Sequence, residues 1–358
     1  MKNYPPIDLS YLRALTDHTG IIQHGIYGLP NRRLGYTTDD NARALVVAVK
    51  RHERTRLPED LELMTTYLSF LHHAHTPDHR FRNVMTYQRD FLDDEGTEDC
   101  YGRSIWACGV AASGDVPDNL RVVAKTMFED SIVWAADLTS PRARAYSMMG
   151  MYEYLRGNED EMDLRDKMDA LADSLRAMLQ EYSGDHWVWF EPYMTYGNAM
   201  LPLSMLLAGN VTGRKEYTDI ARRTLDFLTE TTIIGGRLEI IGNDGWYMRG
   251  GKRAWYDQQT IDGGYTVYAY CMAHSLLGDK TYLDHAFTSF DWFFGKNRSG
   301  QFVYDPESGG CRDAIVPGGV NENQGAEACV CFLLAQIAMQ DHLNQPKEQT
   351  IGFERGLA

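Results

Sequence analysis

Asp39 and Asp40 are adjacent carboxylates that follow Gly35-Tyr36-Thr37-Thr38 and open an apolar run reading as a helix. At a helix start one carboxylate can cap free backbone N–H groups while the other faces the space that the helix end borders. Arg43 stands four residues after Asp39, and Arg103 four after Asp99, so an acid-x-x-x-Arg start occurs twice. An arginine one turn on holds a carboxylate ionised, which suits a general base better than a general acid. Glu191 has the opposite setting, at the end of Trp187-Val188-Trp189-Phe190-Glu191. Rings on that scale desolvate a carboxyl and raise its pKa, the condition for an acid still protonated near neutrality.

Two further clusters mix acids with amides: Asp257, Gln258, Gln259 and Asp262, then Asn321, Asn323, Gln324 and Glu327. An amide both donates and accepts, so such clusters suit sugar hydroxyls better than a metal ion. Tyr196, Asn198 and Arg142 stand near other apolar helix starts, and Asp313 is placed to reach the same rim. No metal site is expected: His72, His73, His75 and His79 end a helix, where cationic side chains favour the dipole. The chain has no HExxH, Walker loop, GxGxxG after a strand or GxSxG elbow, which argues against nucleotide chemistry and serine hydrolysis. No cofactor is expected.

The elements that must position these residues are helices, about twelve of them. They are expected near 8–17, 38–54, 58–75, 99–113, 117–137, 141–156, 159–182, 194–208, 214–233, 258–277, 281–294 and 321–341. Those at 117–137, 159–182 and 214–233 are amphipathic, with Leu164, Met168, Leu171, Leu175 and Met178 recurring at threes and fours. The intervening ones, such as AMLPLSMLLAG and AEACVCFLLAQIAM, are apolar nearly all round, as helices enclosed by others must be. Each enclosed helix is announced by one of the polar clusters. Six hairpins closed into an all-α (α/α)6 toroid give this alternation, with inner-helix N-termini on one rim, and a single domain over 1–358 is expected. Segments 80–93, 186–191, 235–251 and 300–313 read as short strands or hairpins on that rim. Their Tyr87, Trp187, Trp189, Trp246, Tyr247 and Tyr304 would wall a cleft, where ring faces pack against sugar CH groups.

Composition fits a compact protein: of 358 residues 44% are hydrophobic and 24% charged. The formal charge is −15 with no Lys/Arg block, which argues against nucleic acid or an anionic membrane as partner and favours a neutral or cationic small ligand. No signal peptide or membrane span is read, and the six cysteines lack CxxC spacing, so buried free thiols and a cytoplasmic location are expected.

GYTTDDNARAL (35–45), TEDCYGRSIWACG (97–109), SPRARAYSMMG (140–150), WVWFEPYMTYGNAMLP (187–202), YDQQTIDGG (256–264) and VNENQGAEACVCFLLA (320–335) together resemble a largely uncharacterised six-hairpin glycosidase-like family. Its members are often fused behind a retaining glycosyltransferase domain. The resemblance spans nearly the whole chain and implies the toroid, an oligosaccharide substrate and a glycosyltransferase as a partner. The family usually reads Ser-His where this chain has Cys100-Tyr101.

The expectation is therefore a carbohydrate-active enzyme, an inverting glycoside hydrolase on a short oligosaccharide, with two carboxylates flanking the scissile bond. Asp40 or Asp99 would act as base and Glu191 or Glu327 as acid, with Asp39 a further catalytic candidate beside them. Trp189, Tyr196, Asn198, Arg142, Asp257, Gln258, Gln259, Asn323 and Gln324 would bind substrate. In a phosphorolytic variant Arg142 or Arg144 would hold phosphate. The rival expectations are a non-catalytic glycan-binding or scaffolding domain, and a sugar epimerase or lyase drawing on Tyr101, Tyr196, His24 or His274.

Overall fold

The computed structural model describes residues 4–158 and 161–343. Twelve α-helices run through them: α1 (Ser10–Leu15), α2 (Thr38–Thr55), α3 (Pro58–Ala74), α4 (Glu98–Ser113), α5 (Asp118–Ser131), α6 (Pro141–Gly157), α7 (Met162–Tyr182), α8 (Met200–Thr212), α9 (Lys215–Thr232), α10 (Thr260–Leu277), α11 (Lys280–Phe290) and α12 (Ala326–Leu343). The even-numbered helices pack each on the next, and α12 returns to α2, closing an inner ring. The odd-numbered helices lie outside it, α3 on α2, α5 on α4, α7 on α6 and α8, α9 on α8, α11 on α10 and α1 on α12. The fold is an (α/α)6 toroid.

Burial follows the two sequence patterns. On α7 the covered residues are Leu164, Met168, Leu171, Ala172, Leu175 and Leu179, one stripe of an amphipathic helix. On α12 every residue from Ala328 to Ile337 is buried, as enclosure demands. All six cysteines are free thiols in the interior. Among the described residues no helix is long and apolar enough to cross a membrane.

Two inner helices begin later than their apolar runs imply. Residues 194–199 are not helical, because Tyr193–Met194 pairs antiparallel with Tyr247–Met248 and Gly197 turns the chain at φ +60°. Residues 321–325 are not helical: Asn321 ends the strand Gly319–Asn321 of a three-stranded sheet, in which Ala314–Val316 pairs with both that strand and Gln258–Gln259, and 322–325 lead irregularly into α12. The strand-like segments are otherwise short. Val84–Met85 pairs with Tyr36–Thr37, and 186–191 contributes only a bridge from Trp187 to Gly184. Positions 159 and 160, where α7 was expected to begin, lie outside the described residues.

The ring is filled across its middle by Trp106, Tyr146, Tyr265 and Tyr268, with centroids 6.0–6.3 Å apart. Its far end is sealed by Lys50 Nζ on Glu153 Oε1, 2.7 Å, between α2 and α6. The tightest inner contact joins α4 to α6, where glycines replace side chains. A Cβ on Gly109 would meet the carbonyl of Gly150, and one on Gly150 would lie 2.5 Å from the Ile105 carbonyl. Gly150→Ala is therefore expected to push the two helices apart and cost about 1–3 kcal/mol, overpacking at backbone rather than at a yielding side chain. A urea midpoint equal to that of the unmodified protein would show that the ring can open without cost.

Candidate active site

Helix-start chemistry puts the acids on one rim. Thr37 caps α2 by accepting the Asp40 N–H, 3.2 Å; Thr97 caps α4 through Cys100 N–H, 3.2 Å; Ser140 caps α6 through Ala143 N–H, 3.3 Å. The first turns thus present Asp39, Asp40 and Asp99 at the mouth of the ring, where helix N-termini favour negative charge. The mouth is a cavity of ≈ 620 Å³. Asp39, Asp40, Asp99, Glu327, Tyr196, Asp257 and Gln259 line it, with Arg43, Arg103, Asp313, Gln23, His24, Asn83 and Asn321.

Two guanidiniums organise this surface from below. Arg103 donates from Nη1 to Asp39 Oδ1, 2.6 Å, and its Nη2 lies 3.4 Å from Asp99 Oδ2 and 3.4 Å from the Tyr146 hydroxyl. Arg43 donates from Nη1 to Asp40 Oδ1, 2.6 Å, from Nη2 to Glu327 Oε2, 2.7 Å, and from Nε to the Tyr265 hydroxyl, 3.2 Å. The spacing had matched Arg43 with Asp39. In the ring Asp39 turns to the neighbouring α4, and Asp40, three residues before Arg43, takes the intrahelical pair.

The acids differ in what remains unbonded. Asp39 also accepts from Asn83 Nδ2, 2.9 Å, and Asp40 from the Thr37 hydroxyl, 2.7 Å. Asp99 accepts from Ser140 Oγ and from the Tyr196 hydroxyl, both 2.9 Å. Both oxygens of each are therefore engaged. Glu327 keeps Oε1 free of partners among the described residues, and Asp313, whose Oδ1 accepts the Gly325 N–H at 2.6 Å, keeps Oδ2 free. Asp257 stands in the left-handed region at φ +55° with no partner to its carboxylate among the described residues, the kind of backbone cost that clusters at functional sites.

Electrostatics separates them further. Burial pushes Asp39 up, but Arg103 and Arg43 pull harder and hold its carboxyl below the usual range. Burial raises Asp40 to about 6 against the pull of Arg43. Asp313 has no guanidinium, and burial, with Glu327, Asp40 and Asp257 adding to it, pushes it to about 6 despite the Gly325 N–H. Burial lowers His24, and Glu327 opposes it, so the imidazole is neutral at pH 7.

Several residues expected here lie elsewhere. Glu191 is not on the cavity; it is buried against Arg142 Nη1, 2.8 Å, and burial raises its carboxyl against that pairing. Arg142 spends its other donors on the Tyr196 carbonyl, 2.5 Å, and the Thr195 hydroxyl, 2.6 Å. Arg144 donates to the Leu138 carbonyl, and neither arginine lines the cavity where a phosphate would sit. Asn198 is buried against Asp262, which burial raises to about 7. Gln258 bridges Glu239 and Trp292, and Gln324 bridges Asp305 and Ser308. Asn323 sits just outside, accepting the Tyr27 N–H.

The aromatic wall is also corrected. Trp187 and Trp189 are buried on Phe227, Tyr247 meets Trp187, Tyr87 stacks on Tyr36 and Tyr304 on Phe332. Apolar burial on both sides of thin hairpins outweighs display of rings to solvent. Only Trp246 approaches the cavity, 6.3 Å from Tyr196. Of the additional lining residues, His24 carried no local signal beyond its type, and Asp313 owes its setting to an N–H twelve residues on.

No known family profile matches the chain. No curated protein matches it by sequence. Solved structures share its fold. A D-mannose isomerase superposes with TM-score 0.72 at 11% identity over 92% of this chain and 93% of that one. Cellobiose 2-epimerase from Bacillus thermoamylovorans gives 0.72 at 13% identity over 92% and 95%. The α-1,6-mannanase of Salegentibacter sp. HEL1_6 gives 0.65 at 14% identity over 92% and 96%. The shared architecture is the (α/α)6 toroid; the neighbours that carry it are, by their names, an isomerase, an epimerase and a mannanase of sugars.

The raised Asp313 makes a prediction with a definite sign. The folded chain keeps a proton that the unfolded chain loses near pH ~3.9, so this group's stabilisation is full below that value and is lost as pH rises to about 6. Asp313→Asn should flatten that segment of the stability-pH curve, measured by urea melts at steps from pH 4 to 7. An unchanged slope would place the titration elsewhere.

Proposed function

We propose that the chain is a carbohydrate-active enzyme that hydrolyses a neutral oligosaccharide, with Asp313 as general acid and Glu327 as general base. The observation that carries this is that Asp313 and Glu327 both line the cavity and each keeps one oxygen unengaged among the described residues. Glu327 is held by Arg43 through its other oxygen, which keeps the accepting oxygen oriented. Asp313 is desolvated and free of cations, so it carries a proton to deliver to a glycosidic oxygen at mildly acidic pH. Glu327 Oε1 then takes a proton from the attacking water. Asp39, Asp40 and Asp99 keep the two arginines in place.

Charge narrows the substrate. The cavity holds six carboxylates against two guanidiniums, both of which are bonded to carboxylates already. A phosphate or uronate would meet unneutralised like charge, so hydrolysis is favoured over phosphorolysis. Support also comes from a solved neighbour, an inactive α-1,6-mannanase variant with two aspartates changed to asparagine, in complex with α-1,6-mannotriose. It superposes with TM-score 0.62 at 13% identity over 92% of this chain and 95% of that one.

A second reading, epimerisation or isomerisation at the carbon next to a carbonyl, is favoured by His24. Its neutral imidazole borders the cavity near Glu327 and is suited to accept a proton.

Release of reducing ends from α- and β-linked gluco- and manno-oligosaccharides tests the first reading. Asp313→Asn and Glu327→Gln are each expected to lower turnover by about 10²-fold or more with folding intact, the usual loss on removing an acid or base. Deuterium uptake at sugar C2 in D2O, lost in His24→Gln, would replace hydrolysis by the second reading. Binding with neither outcome would favour a glycan-binding domain that serves a glycosyltransferase. Phosphorylated or uronic sugars should bind more weakly than neutral ones, by a margin that narrows with added salt.

A further inference from the structure

We propose that Tyr27 is a stacking platform for a sugar unit of an oligosaccharide that runs out of the cavity over the hairpin of residues 25–30. The proposal rests on the reading of the cavity as a sugar site and assigns it a second binding position.

Gly25–Ile26 pairs antiparallel with Leu29–Pro30, leaving Tyr27 and Gly28 as the turn. Tyr27 has φ +51°, a conformation that costs a tyrosine energy and needs support from its surroundings. The support is specific. The Tyr27 N–H donates to Asn323 Oδ1, 3.0 Å, and the Tyr27 carbonyl accepts the Gln324 N–H, 3.1 Å. Gly25 has no Cβ where the Gln324 carbonyl passes, and that carbonyl accepts the Tyr11 hydroxyl at 2.7 Å. Gln23 accepts the Ala326 N–H at 2.9 Å. The turn is thus fixed to the chain entering α12, and cavity-lining residues stand on both sides of the attachment: Gln23 and His24 before Tyr27, Asn321 and Gly325 around Asn323.

The ring held this way is 66% exposed and stacks on no other ring or cation among the described residues. Ile26 at 49% and Leu29 at 73% flank it. Asn323 Nδ2, beside the turn, makes no hydrogen bond to another described residue. A free ring face next to an amide donor matches a sugar unit, with its apolar CH face and its edge of hydroxyls. Tyr196, which lines the cavity, and Trp246, 6.3 Å from it, form another aromatic edge. A chain of sugars that leaves the cavity past the start of α12 would meet the Tyr27 ring, whereas one unit within the cavity would reach neither Tyr27 nor Asn323, which do not line it. Continuity with the cavity lining favours this occupant over a second copy of the protein.

The test measures binding by calorimetry of the unmodified protein, Tyr27→Ala and Tyr27→Phe to α-1,6-linked manno- and β-1,4-linked gluco-oligosaccharides of one to six units, with the mass in solution measured alongside. Affinity should rise with length in the unmodified protein. Tyr27→Ala should lower the ratio of long-chain to short-chain affinity by about 3- to 10-fold, the scale of one aromatic contact, and Tyr27→Phe should restore most of it. Absence of length dependence, an unchanged ratio in Tyr27→Ala, or a dimer that this substitution dissolves would overturn the proposal, as would binding of no member of the series. Asp313→Asn separates the two readings, because it should lower turnover by about 10²-fold or more and leave the length ratio intact; turnover lowered with no effect of Tyr27 sinks the platform alone.

Discussion

The pairing of two buried guanidiniums with four carboxylates is the constraint around which the mouth of the ring is arranged. Arg43 and Arg103 are nearly inaccessible and close enough to repel each other. Neither would be tolerated there without opposite charge, since breaking a buried pair by removing one partner costs several kcal/mol. Each therefore draws acids from two places: Arg43 from α2 and α12, Arg103 from the starts of α2 and α4. The same two arginines rest on the hydroxyls of Tyr265 and Tyr146. The aromatic plug, the charges and the inner-helix starts are thereby locked in one geometry.

That arrangement decides what each acid is free to do. A carboxylate whose two oxygens both accept hydrogen bonds, one of them from a guanidinium, is anchored and partly neutralised, so it is a weaker base than one with an oxygen unengaged. Asp99 illustrates this, held by Ser140, Tyr196 and Arg103 together. Its contribution is to hold the Tyr196 hydroxyl while Arg142, 4.8 Å from the ring centroid, holds the ring by a cation–π contact. Arg142 and Glu191 are thus one layer removed from the cavity, supporting the one tyrosine that lines it.

Legibility in the sequence followed the range of the interactions. The toroid could be read because enclosure imprints on each helix separately, as apolar faces all round α8, α10 and α12 against stripes on α7 and α9. The rim position of Asp39, Asp40 and Asp99 could be read because Thr37 and Thr97 are local caps. Pairings across helices left no local trace. Four-residue spacing matches Asp39 with Arg43, yet Arg103, sixty-four residues away, lies nearer and takes it. Burial does raise the Glu191 carboxyl, but its counter-ion, Arg142, comes from α6. Asp313 could be placed at the rim but given no role, because the group that orients it, Gly325 N–H, lies twelve residues on, just ahead of α12.

Hydrolysis and epimerisation ask different things of one set of groups. Glycosidic cleavage needs a proton delivered to an oxygen between two sugars, so acid and base must sit where a chain crosses the mouth. Proton transfer at a carbon needs one sugar end held still with a neutral base against it. Asp313 and Glu327 belong to the chain entering and beginning α12, and His24 approaches the same glutamate from the N-terminal segment. Both mechanisms would therefore use the α12 wall, and the choice between them depends on how far the sugar reaches before it is stopped. Arg43 holds Glu327 while bonded to Asp40 and to the Tyr265 hydroxyl, so the group that either mechanism would use is fixed in position.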